Sequence, residues 1–566
     1  MKLLLTAINA KYIHSNLAVY SLKAYANRED VDIQILEYTI NHYEEDILQE
    51  LYKQGGDLLC FSCYIWNIDM VLSLAKEFHK LRPDVPIWLG GPEVSYDAYE
   101  VLKNHEEVSL VMMGEGEETF KQLLAMKQEG TIALADIKGI AYRTKDGQIH
   151  VNPEREVLDM DTLPFVYQNE DMKEFENKII YYETSRGCPF SCSYCLSSVD
   201  RNVRFRKKEL VEQELQFFLD HNIKQVKFVD RTFNCYREHA RNIWEYITEH
   251  DNGITNFHFE VSADILTDED LELFKRMRPG LIQLEIGVQS TYEPTIQEID
   301  RTMDLERLKS IVSRINSYEN IHQHLDLIVG LPYEDYSRFI QSFNDVHAMN
   351  PNQLQLGFLK VLKGSKMHRM RKEYGIAYWD KAPYEVLYTN WIGYDEVLRL
   401  KGVEEMVEVY YNSNQYIHTI SYLLHFFESP YHLYEGLAQY YEKKGLHLLK
   451  HNRLARYEIL MDFIKESALS HKDFEIEILE DIMLYDLYLR ENVKKRPSWA
   501  KDQVSLKKLY QPYYKEHKTA HIEAFGFDVK KTAKVGKKAG NPCHMAFHYE
   551  ERNPLTYEAV TKVLEF

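Results

Sequence analysis

The first 135 residues alternate between short apolar runs and amphipathic segments. The apolar runs are LLLTAIN, VDIQILEY, DLLCFSCYIW, VPIWLGG and VSLVMMGEGE. The segments between them have helical periodicity: LAVYSLKAYANR, YEEDILQELYKQ, NIDMVLSLAKEFHKL and YDAYEVLKNH. Alternation of this kind predicts an α/β domain over residues 1–135, flavodoxin-like with a doubly wound parallel sheet. Ligands bind such sheets at the carboxyl ends of the strands, where the sequence reads NAKYIHSN, SCYIWN, GGPEVS and GEGEET.

A second series of strand–helix units begins at residue 178. Its β-rich runs are KIIYYETS, KQVKFVD, FHFEVSAD, LIQLEIGVQS, HLDLIVGLP and NQLQLGFLKVL, and residues 206–222 have helical periodicity. In parallel sheets functional groups gather at the carboxyl ends of the strands. These ends carry Asp230, Asp264, Gln289, Ser290 and the segment 330–332.

Composition limits the class of protein. The chain has 566 residues and a formal net charge of −20, which argues against a non-specific nucleic-acid coat but leaves room for a local basic face. A membrane-spanning run of about 20 apolar residues is missing. We interpret the start, MKLLLTAINAKYIH, as a buried strand rather than a signal peptide, and we expect a cytoplasmic protein. Seven cysteines in a chain of this length do not make a secreted disulfide framework.

Three of the cysteines, Cys188, Cys192 and Cys195, lie within SRGCPFSCSYC. A disulfide would leave one of them over. A zinc site usually takes four ligands from two pairs, and neither a second close pair nor an HxxxH pattern is nearby. A structural metal site remains an alternative. Three thiolates on one loop suit a cubane cluster whose fourth iron is open to a small molecule.

The CxxxCxxC spacing, with Tyr194 before the last cysteine, resembles the radical S-adenosylmethionine (SAM) superfamily. The resemblance implies a partial TIM barrel over residues 178–375, a [4Fe-4S] cluster on Cys188, Cys192 and Cys195, and bound SAM. It places Tyr194 beside the adenine and further SAM contacts at Glu260, Asp264, Glu285, Gln289, Ser290, Arg301 and Gly330. The alternative for Glu260 and Glu285 is an ordinary ion pair at a strand end. VDRTFN replaces the usual glycine-rich motif after the second strand, which leaves the group that binds the SAM amine open.

The glycine turns of the first domain resemble a cobalamin-binding domain, and LEIGVQS resembles the cobalamin-type fourth-strand motif. The resemblance implies cofactor contacts at Ser62, Trp66, Gly90, Gly91, Gly114 and Glu115. Gly90 and Gly91 would let the backbone approach a bulky ligand, and Ser62 would offer a hydroxyl to its nucleotide tail. A response-regulator-like domain is the alternative.

The Asp-x-His-x-x-Gly loop of other cobalamin enzymes is absent from the sequence. We interpret His14 as a loop histidine and place Trp66 beneath the cobalt, where an indole offers no lone pair. The alternative for Trp66 is packing between sheet and helix. We interpret Cys60 and Cys63 as core residues, because strand positions three apart face opposite sides.

Residues 136–177 are predicted to be a linker with a β-hairpin around TKDGQ. Residues 376–566 have long amphipathic runs up to about Arg496–Pro497, which predict a mostly α-helical C-terminal domain. The runs are followed by HIEAFGFDV and HMAFHYEERN, which we interpret as a β pair. This region resembles a C-terminal domain of unknown function found on cobalamin-dependent radical SAM proteins. Its Lys-rich part, residues 494–538, is interpreted as a solvated surface, with a patch for an anionic partner as the alternative.

These features together resemble class B radical SAM methyltransferases. The resemblance implies that SAM is cleaved to a 5′-deoxyadenosyl radical and that methylcobalamin methylates an unactivated carbon. A rearrangement or oxidative cyclisation without methyl transfer is the enzymatic alternative, and a non-catalytic sensor or assembly factor is the other. An electron donor such as flavodoxin or ferredoxin is implied. The sequence does not identify the substrate, and the acidity of the chain argues against a nucleic acid.

Overall fold

The computed structural model describes residues 1–130, 132–467, 474–553 and 555–565. The residues cluster into two units. The first unit contains Met1–Gln283, Gln297–Met303 and Phe358–Asn390, and the second contains Leu284–Ile296, Asp304–Gly357 and Trp391–Phe566.

A seven-stranded sheet begins the first unit, in the order β2-β1-β3-β4-β5-β6-β7. Its strands are β1 (Lys2–Asn9), β2 (Asp32–Thr39), β3 (Leu58–Ser62), β4 (Ile87–Gly90), β5 (Val108–Met112), β6 (Ile140–Arg143) and β7 (Ile149–Val151). The helices between them are α1 (Leu17–Ala26), α2 (Glu44–Gln54), α3 (Ile68–Leu81), α4 (Pro92–Ser95), α5 (Ala98–Asn104) and α6 (Glu117–Glu129). The first five strands are parallel, as the alternation predicts.

The hairpin that the sequence placed in a linker is part of this sheet. Strand β6 pairs antiparallel with β5 and β7 pairs antiparallel with β6. Ile140 and Ala141 are fully buried there, so the burial of apolar surface stabilises the pairing of the hairpin with β5. Strand β3 is buried along its whole length, and Cys60 and Cys63 are core residues as predicted.

The first unit continues with three parallel strands ordered β12-β11-β8. The elements here are β8 (Ile180–Tyr182), β9 (Ser185–Arg186), β10 (Arg204–Phe205), α7 (Lys208–Asp220), β11 (Gln225–Phe228), α8 (Arg237–Glu249), β12 (Asn256–Val261) and α9 (Asp268–Lys275). In the second unit the strand order is β15-β14-β13. Its elements are β13 (Ile282–Gln289), α10 (Glu293–Glu298), α11 (Leu305–Asn316), β14 (His322–Val329), α12 (Tyr336–His347) and β15 (Gln353–Phe358). Residues 282–283, 297–298 and 358 of these elements are counted with the first unit.

Residues 358–390 return to the first unit and carry α13 (Lys366–Met370) and the hairpin β16 (Ala377–Tyr378) and β17 (Val386–Tyr388). The rest of the second unit is mostly helical. It contains α14 (Tyr394–Val407), α15 (Ile417–Leu423), α16 (Pro430–Lys443), α17 (Arg453–Glu466), α18 (Ile476–Arg490), α19 (Lys507–Glu516) and α20 (Val529–Val535) with strands β18 (His521–Phe525), β19 (Cys543–Arg552) and β20 (Ala559–Leu564).

The end of this region differs from the sequence prediction. The helical part does not stop near Arg496, because α19 and α20 follow, and the expected β pair is a three-stranded antiparallel sheet. Helix α19 was missed because its charge pattern resembles a surface loop, whereas the structure packs Tyr510 against Ile522 and Ala546 of the sheet. Among the described helices, none combines the length and the apolarity needed to cross a bilayer.

Candidate functional site

The cysteine loop is closed at its base by a short ribbon. Strands β9 and β10 pair antiparallel, so residues 187–203 form one loop between them. The Cys188 N–H donates to the Asp200 carbonyl at 3.0 Å. Gly187 has φ +96, and a Cβ there would lie 2.7 Å from the Asn202 carbonyl oxygen, so glycine is required where the two arms meet. The loop therefore has a fixed entry and exit.

The three thiols are the donor set of this loop. Cys188 and Cys192 are each 8% exposed, Cys195 is half-buried, and all three are free of disulfides. Burial raises the pKa of the Cys188 thiol. Among the described residues, no group of three or more His, Cys, Asp or Glu side chains is arranged to hold a metal ion. Cysteine thiolates are the ligands that iron–sulfur clusters take, so the three soft donors of this loop fit a [4Fe-4S] cluster by their chemistry.

Arg301, a residue that the sequence assigned to SAM binding, lies beside this loop. Its guanidinium donates to the Tyr194 hydroxyl at 3.3 Å and to the Cys192 sulfur at 3.9 Å. Burial raises the pKa of Tyr194, so its hydroxyl stays neutral beside the cation. The structure thus brings Arg301, Tyr194 and Cys192 together.

Asp230 anchors the strand that enters the loop, a role that the sequence did not predict. It is fully buried at the end of β11 and accepts from the Thr184 hydroxyl at 2.5 Å and the Ser185 hydroxyl at 2.7 Å. Burial raises its pKa to about 6, although these donors oppose the shift. Its position at a strand end was visible in the sequence, but its partners were not.

Arg186 is a second residue that sequence reasoning missed, although it lies two positions before Cys188. It binds Glu117 at 2.6 Å and Glu183 at 2.9 Å and approaches Glu115 at 3.5 Å. Burial raises the pKa of Glu183 to about 7. Burial also opposes ionisation of Glu117, but Arg186 outweighs it and the pKa of Glu117 lies below its ordinary value. One cation therefore holds two carboxylates, that of Glu117 at the start of α6 and that of Glu183 between β8 and β9.

Glu260 and Asp264 lie at the end of β12 with protein partners. Glu260 forms an ion pair with Arg231 at 2.6 Å, which is the ordinary arrangement that the sequence left open. Asp264 is buried and accepts from the Ser262 hydroxyl at 2.6 Å. Their contact with SAM stays a prediction.

The predicted SAM residues of the second unit follow strands β13 and β14. Glu285 and Gln289 share the half-buried face of β13, because exposure alternates along the strand. Gln289 has φ +72, and its buried amide oxygen has no hydrogen-bond partner among the described residues. A strained residue with an unsatisfied acceptor fits a position that binds a ligand. Gly330 has φ +90 just after β14.

Ser290 is instead fully buried in a hydrogen-bond cluster around Glu334, which the sequence did not single out. The hydroxyls of Ser290 and Ser342 donate to one Glu334 carboxyl oxygen at 2.7 and 2.6 Å. Burial raises the pKa of Glu334 to about 7. The cluster ties together the segments that follow β13 and β14, and a SAM contact from Ser290 stays a prediction.

The raised pKa of Glu334 predicts a pH-dependent stability. The native state binds the proton more tightly than the unfolded chain, so this stabilisation is complete below about pH 4.5 and is lost as the pH rises through about 7. We expect Glu334→Gln to gain up to about 3 kcal/mol of unfolding free energy relative to the parent chain across this window. Urea unfolding at several pH values measures the gain, and Glu306→Gln is the exposed control. A difference that does not change with pH would contradict the buried, protonated carboxyl.

The predicted cobalamin residues lie at the carboxyl edge of the N-terminal sheet. The Ser62 hydroxyl accepts from the Asn16 amide at 3.3 Å. The Trp66 indole N–H donates to the Ile8 carbonyl at 3.0 Å, and its ring stacks on Tyr64 with centroids 4.5 Å apart. Trp66 is 41% exposed, so it is not packed between sheet and helix. The stacked pair presents a flat aromatic surface to solvent.

The three predicted glycines of this edge, Gly90, Gly91 and Gly114, differ in what surrounds them. A Cβ on Gly91 would lie 2.5 Å from the Cys63 carbonyl oxygen, so glycine is required there, whereas a Cβ on Gly90 would press on the flexible end of the Met112 side chain at 3.0 Å. Gly114 has φ +70, and none of the described residues comes within 4 Å of the place that a Cβ there would occupy. Open space at Gly114 and the aromatic face at Trp66 fit a large planar ligand.

Glu115 and His14 are bound within the protein. Glu115 pairs with Arg204 at 2.5 Å and accepts from the Leu158 N–H. The His14 ring nitrogen is bonded to the Tyr181 hydroxyl at 2.8 Å, and burial lowers the pKa of His14. The contact of His14 agrees with its interpretation as a loop histidine, while a cobalamin contact from Glu115 stays a prediction.

Comparison with known families identifies three successive regions. Residues 3–124 match the B12 binding domain and residues 182–346 match the Radical SAM superfamily. Residues 372–539 match a protein of unknown function, DUF4080. The Radical SAM match implies a [4Fe-4S] cluster and SAM, and the B12 match implies cobalamin.

Curated relatives match a little over half of this chain. The chain is 27% identical to the cobalamin-dependent radical SAM methyltransferase TokK of Streptomyces tokunonensis, over 58% of this chain and 50% of TokK. It is 24% identical to the anaerobic magnesium-protoporphyrin IX monomethyl ester cyclase of Rubrivivax gelatinosus, over 51% of this chain and 53% of the cyclase. The chain thus spans about half the length of these curated relatives.

Solved structures show the same fold. The cobalamin-dependent SAM radical enzyme OxsB, with aqua-cobalamin and SAM bound, aligns with a TM-score of 0.56 at 15% identity, over 91% of this chain and 76% of OxsB. The fold, the cysteine loop and the two family matches agree with one another. The chain therefore carries a region that matches the B12 binding domain, then one that matches the Radical SAM superfamily, and then one that matches DUF4080.

Proposed function

We propose that this chain is a cobalamin-dependent radical SAM enzyme that methylates an unactivated carbon of its substrate. The observation that carries the proposal is the loop with Cys188, Cys192 and Cys195 in a chain whose first sheet matches a B12-binding domain. Two of the three sulfurs are largely buried, as a cluster shielded from water needs. The name of the relative TokK supports methyl transfer as the outcome.

The chain contributes binding and orientation in this proposal. Cys188, Cys192 and Cys195 would hold the cluster, and Arg301 would place a positive charge beside Cys192. Gln289 and Asp264 would bind SAM, and Trp66, Ser62 and Gly114 would contact cobalamin. When bound, these groups supply the radical and the methyl-transfer chemistry. A small electron-transfer protein, such as flavodoxin or ferredoxin, would reduce the cluster.

A second candidate is a radical rearrangement or oxidative cyclisation that uses the same cofactors without methyl transfer. The similarity to the magnesium-protoporphyrin ester cyclase of Rubrivivax gelatinosus favours it. The two candidates share the cysteine loop and differ in whether a methyl group leaves SAM for the substrate.

Labelled SAM separates the candidates. We expect reduced, reconstituted enzyme, given methyl-labelled SAM and extract from a deletion strain, to form 5′-deoxyadenosine and to label one class of metabolite. If 5′-deoxyadenosine accumulates while label reaches cobalamin alone, methylation is refuted and the second candidate stands. If neither product forms, a sensor or assembly role replaces both. Enzyme carrying Cys188→Ala is the control for label transferred without radical chemistry.

A further inference from the structure

Residues 358–384 of the first unit contact the loop that follows β4. This loop, Gly90–Asp97, runs from the last residue of β4 through the short helix α4 and lies at the edge predicted to bind cobalamin. The Tyr384 hydroxyl donates to the Glu93 carboxylate, and Lys363 pairs with Asp97 at 2.8 Å. The Lys363 ammonium also lies 5.4 Å from the Tyr384 ring centroid. Tyr384 is in the DUF4080 region, so that region reaches the B12-binding domain directly.

These contacts are buried and close. Tyr384 is 6% exposed and Glu93 is 9% exposed. Burial raises the pKa of Glu93, while Tyr384 and Lys363 favour its ionised form. A cavity of about 160 Å³ lies beside the pair and is lined by both segments, including Asp69, Asp97 and Asp380. The Tyr384–Glu93 hydrogen bond therefore lies beside a cavity with both polar and apolar walls, since the lining also includes Ile68, Leu72 and Val94.

Tyr384 is held in an unusual backbone conformation. Its φ is +57, which a bulky residue adopts at a cost that neighbouring contacts must offset. The Tyr384 N–H donates to the Lys381 carbonyl, and the Tyr384 carbonyl accepts from the Val361 N–H at 3.0 Å. Ala382 packs against the core of the N-terminal sheet. The local structure thus fixes the tyrosine so that it points at Glu93.

The same segment also contacts the cysteine loop. The Met367 N–H donates to the Ser193 carbonyl at 2.7 Å, between two of the predicted cluster ligands. Gly364 has φ +87, and a Cβ there would lie 2.5 Å from the Tyr96 ring, so the backbone rests directly on this tyrosine. Residues 358–384 therefore join the loop Gly90–Asp97 to the loop that carries Cys192 and Cys195.

We propose that Tyr384 and Lys363 are positioning residues that fix the loop Gly90–Asp97 for cobalamin, and thereby hold the cobalamin edge at a set distance from the cysteine loop. The inference rests on the proposed function, because it assigns the same cofactor to this edge. In this proposal, the start of the DUF4080 region stabilises the position of a loop of the B12-binding domain.

The test compares Tyr384→Phe with Tyr388→Phe, an exposed tyrosine of the same hairpin. In cobalamin-free protein, we expect Tyr384→Phe to speed amide hydrogen exchange in peptides covering residues 90–101 by about five- to tenfold, the effect of one lost buried hydrogen bond. Spectrophotometric titration should show cobalamin affinity lowered by a similar factor. Iron content after reconstitution should not change, and Tyr388→Phe should match the parent chain in all three measurements.

Variants at Glu93 separate positioning from general stability. Glu93→Gln keeps an acceptor for the Tyr384 hydroxyl and should retain cobalamin affinity, whereas Glu93→Leu should weaken it as Tyr384→Phe does. Unchanged exchange and affinity in Tyr384→Phe would overturn the inference, and so would faster exchange with unchanged affinity. If the parent chain itself binds no cobalamin, the proposed function fails, while the exchange experiment still decides whether Tyr384 fixes the loop.

Discussion

Replacing Cys188, Cys192 or Cys195 singly by alanine is expected to abolish SAM cleavage and to remove the iron–sulfur cluster. Each thiolate would bind one iron of the cubane, and alanine offers no ligand in its place. The N-terminal sheet has its own apolar core and contains none of these residues, so the fold and cobalamin binding should persist. Iron and sulfide analysis and the yield of 5′-deoxyadenosine under reducing conditions measure the loss.

Cys543→Ala is the matched control, because Cys543 is a half-buried free cysteine on β19, outside the cysteine loop. It should keep the iron content and the SAM cleavage of the parent chain. A triple variant that still binds four irons and cleaves SAM would refute the assignment of the loop. Far-UV circular dichroism checks that each variant is folded.

Arg186→Met is expected to have the largest effect on stability. The substitution leaves the carboxylates of Glu117 and Glu183 without their cation in a largely buried position. Breaking a buried ion pair by removing one partner costs about 3–5 kcal/mol. Urea unfolding of the cofactor-free protein at neutral pH measures this cost. We expect reconstitution of the cluster to suffer as well, since Arg186 directly precedes Gly187 and Cys188.

The pH dependence of this loss follows from Glu117. Its pKa is depressed in the folded protein, so its stabilisation is present above the unfolded pKa of about 4.5 and is lost as the pH falls. The difference between the parent chain and Arg186→Met should therefore shrink in acid.

Adding Glu117→Gln to the Arg186→Met variant should recover part of the lost unfolding free energy. Arg82→Met, which breaks the more exposed pair with Asp84, should cost far less. An equally small cost for Arg186→Met would contradict a buried network.

Most of the strand and helix pattern was predictable from the sequence, because hydrophobic periodicity is local. The runs predicted as strands became β1–β5, β8 and β11–β15. Helices α19 and α20 were missed, since both are rich in lysine and the packing of Tyr510 depends on a sheet formed by residues further along the chain. The hairpin around TKDGQ was recognised, but its pairing with β5 required the edge of a completed sheet.

The cofactors were predictable from short stretches of sequence, namely three cysteines at a fixed spacing on one loop and a strand–helix alternation with glycine turns before it. Which charged groups meet became visible only in the folded chain. It paired Glu115 with Arg204 and Glu260 with Arg231, and it brought Tyr384 to Glu93, 291 positions away. The physical reason is the distance along the chain over which each feature is set. Periodicity and ligand spacing are set by neighbouring residues, whereas an ion pair or a buried hydrogen bond depends on where distant segments come to lie once the core has packed.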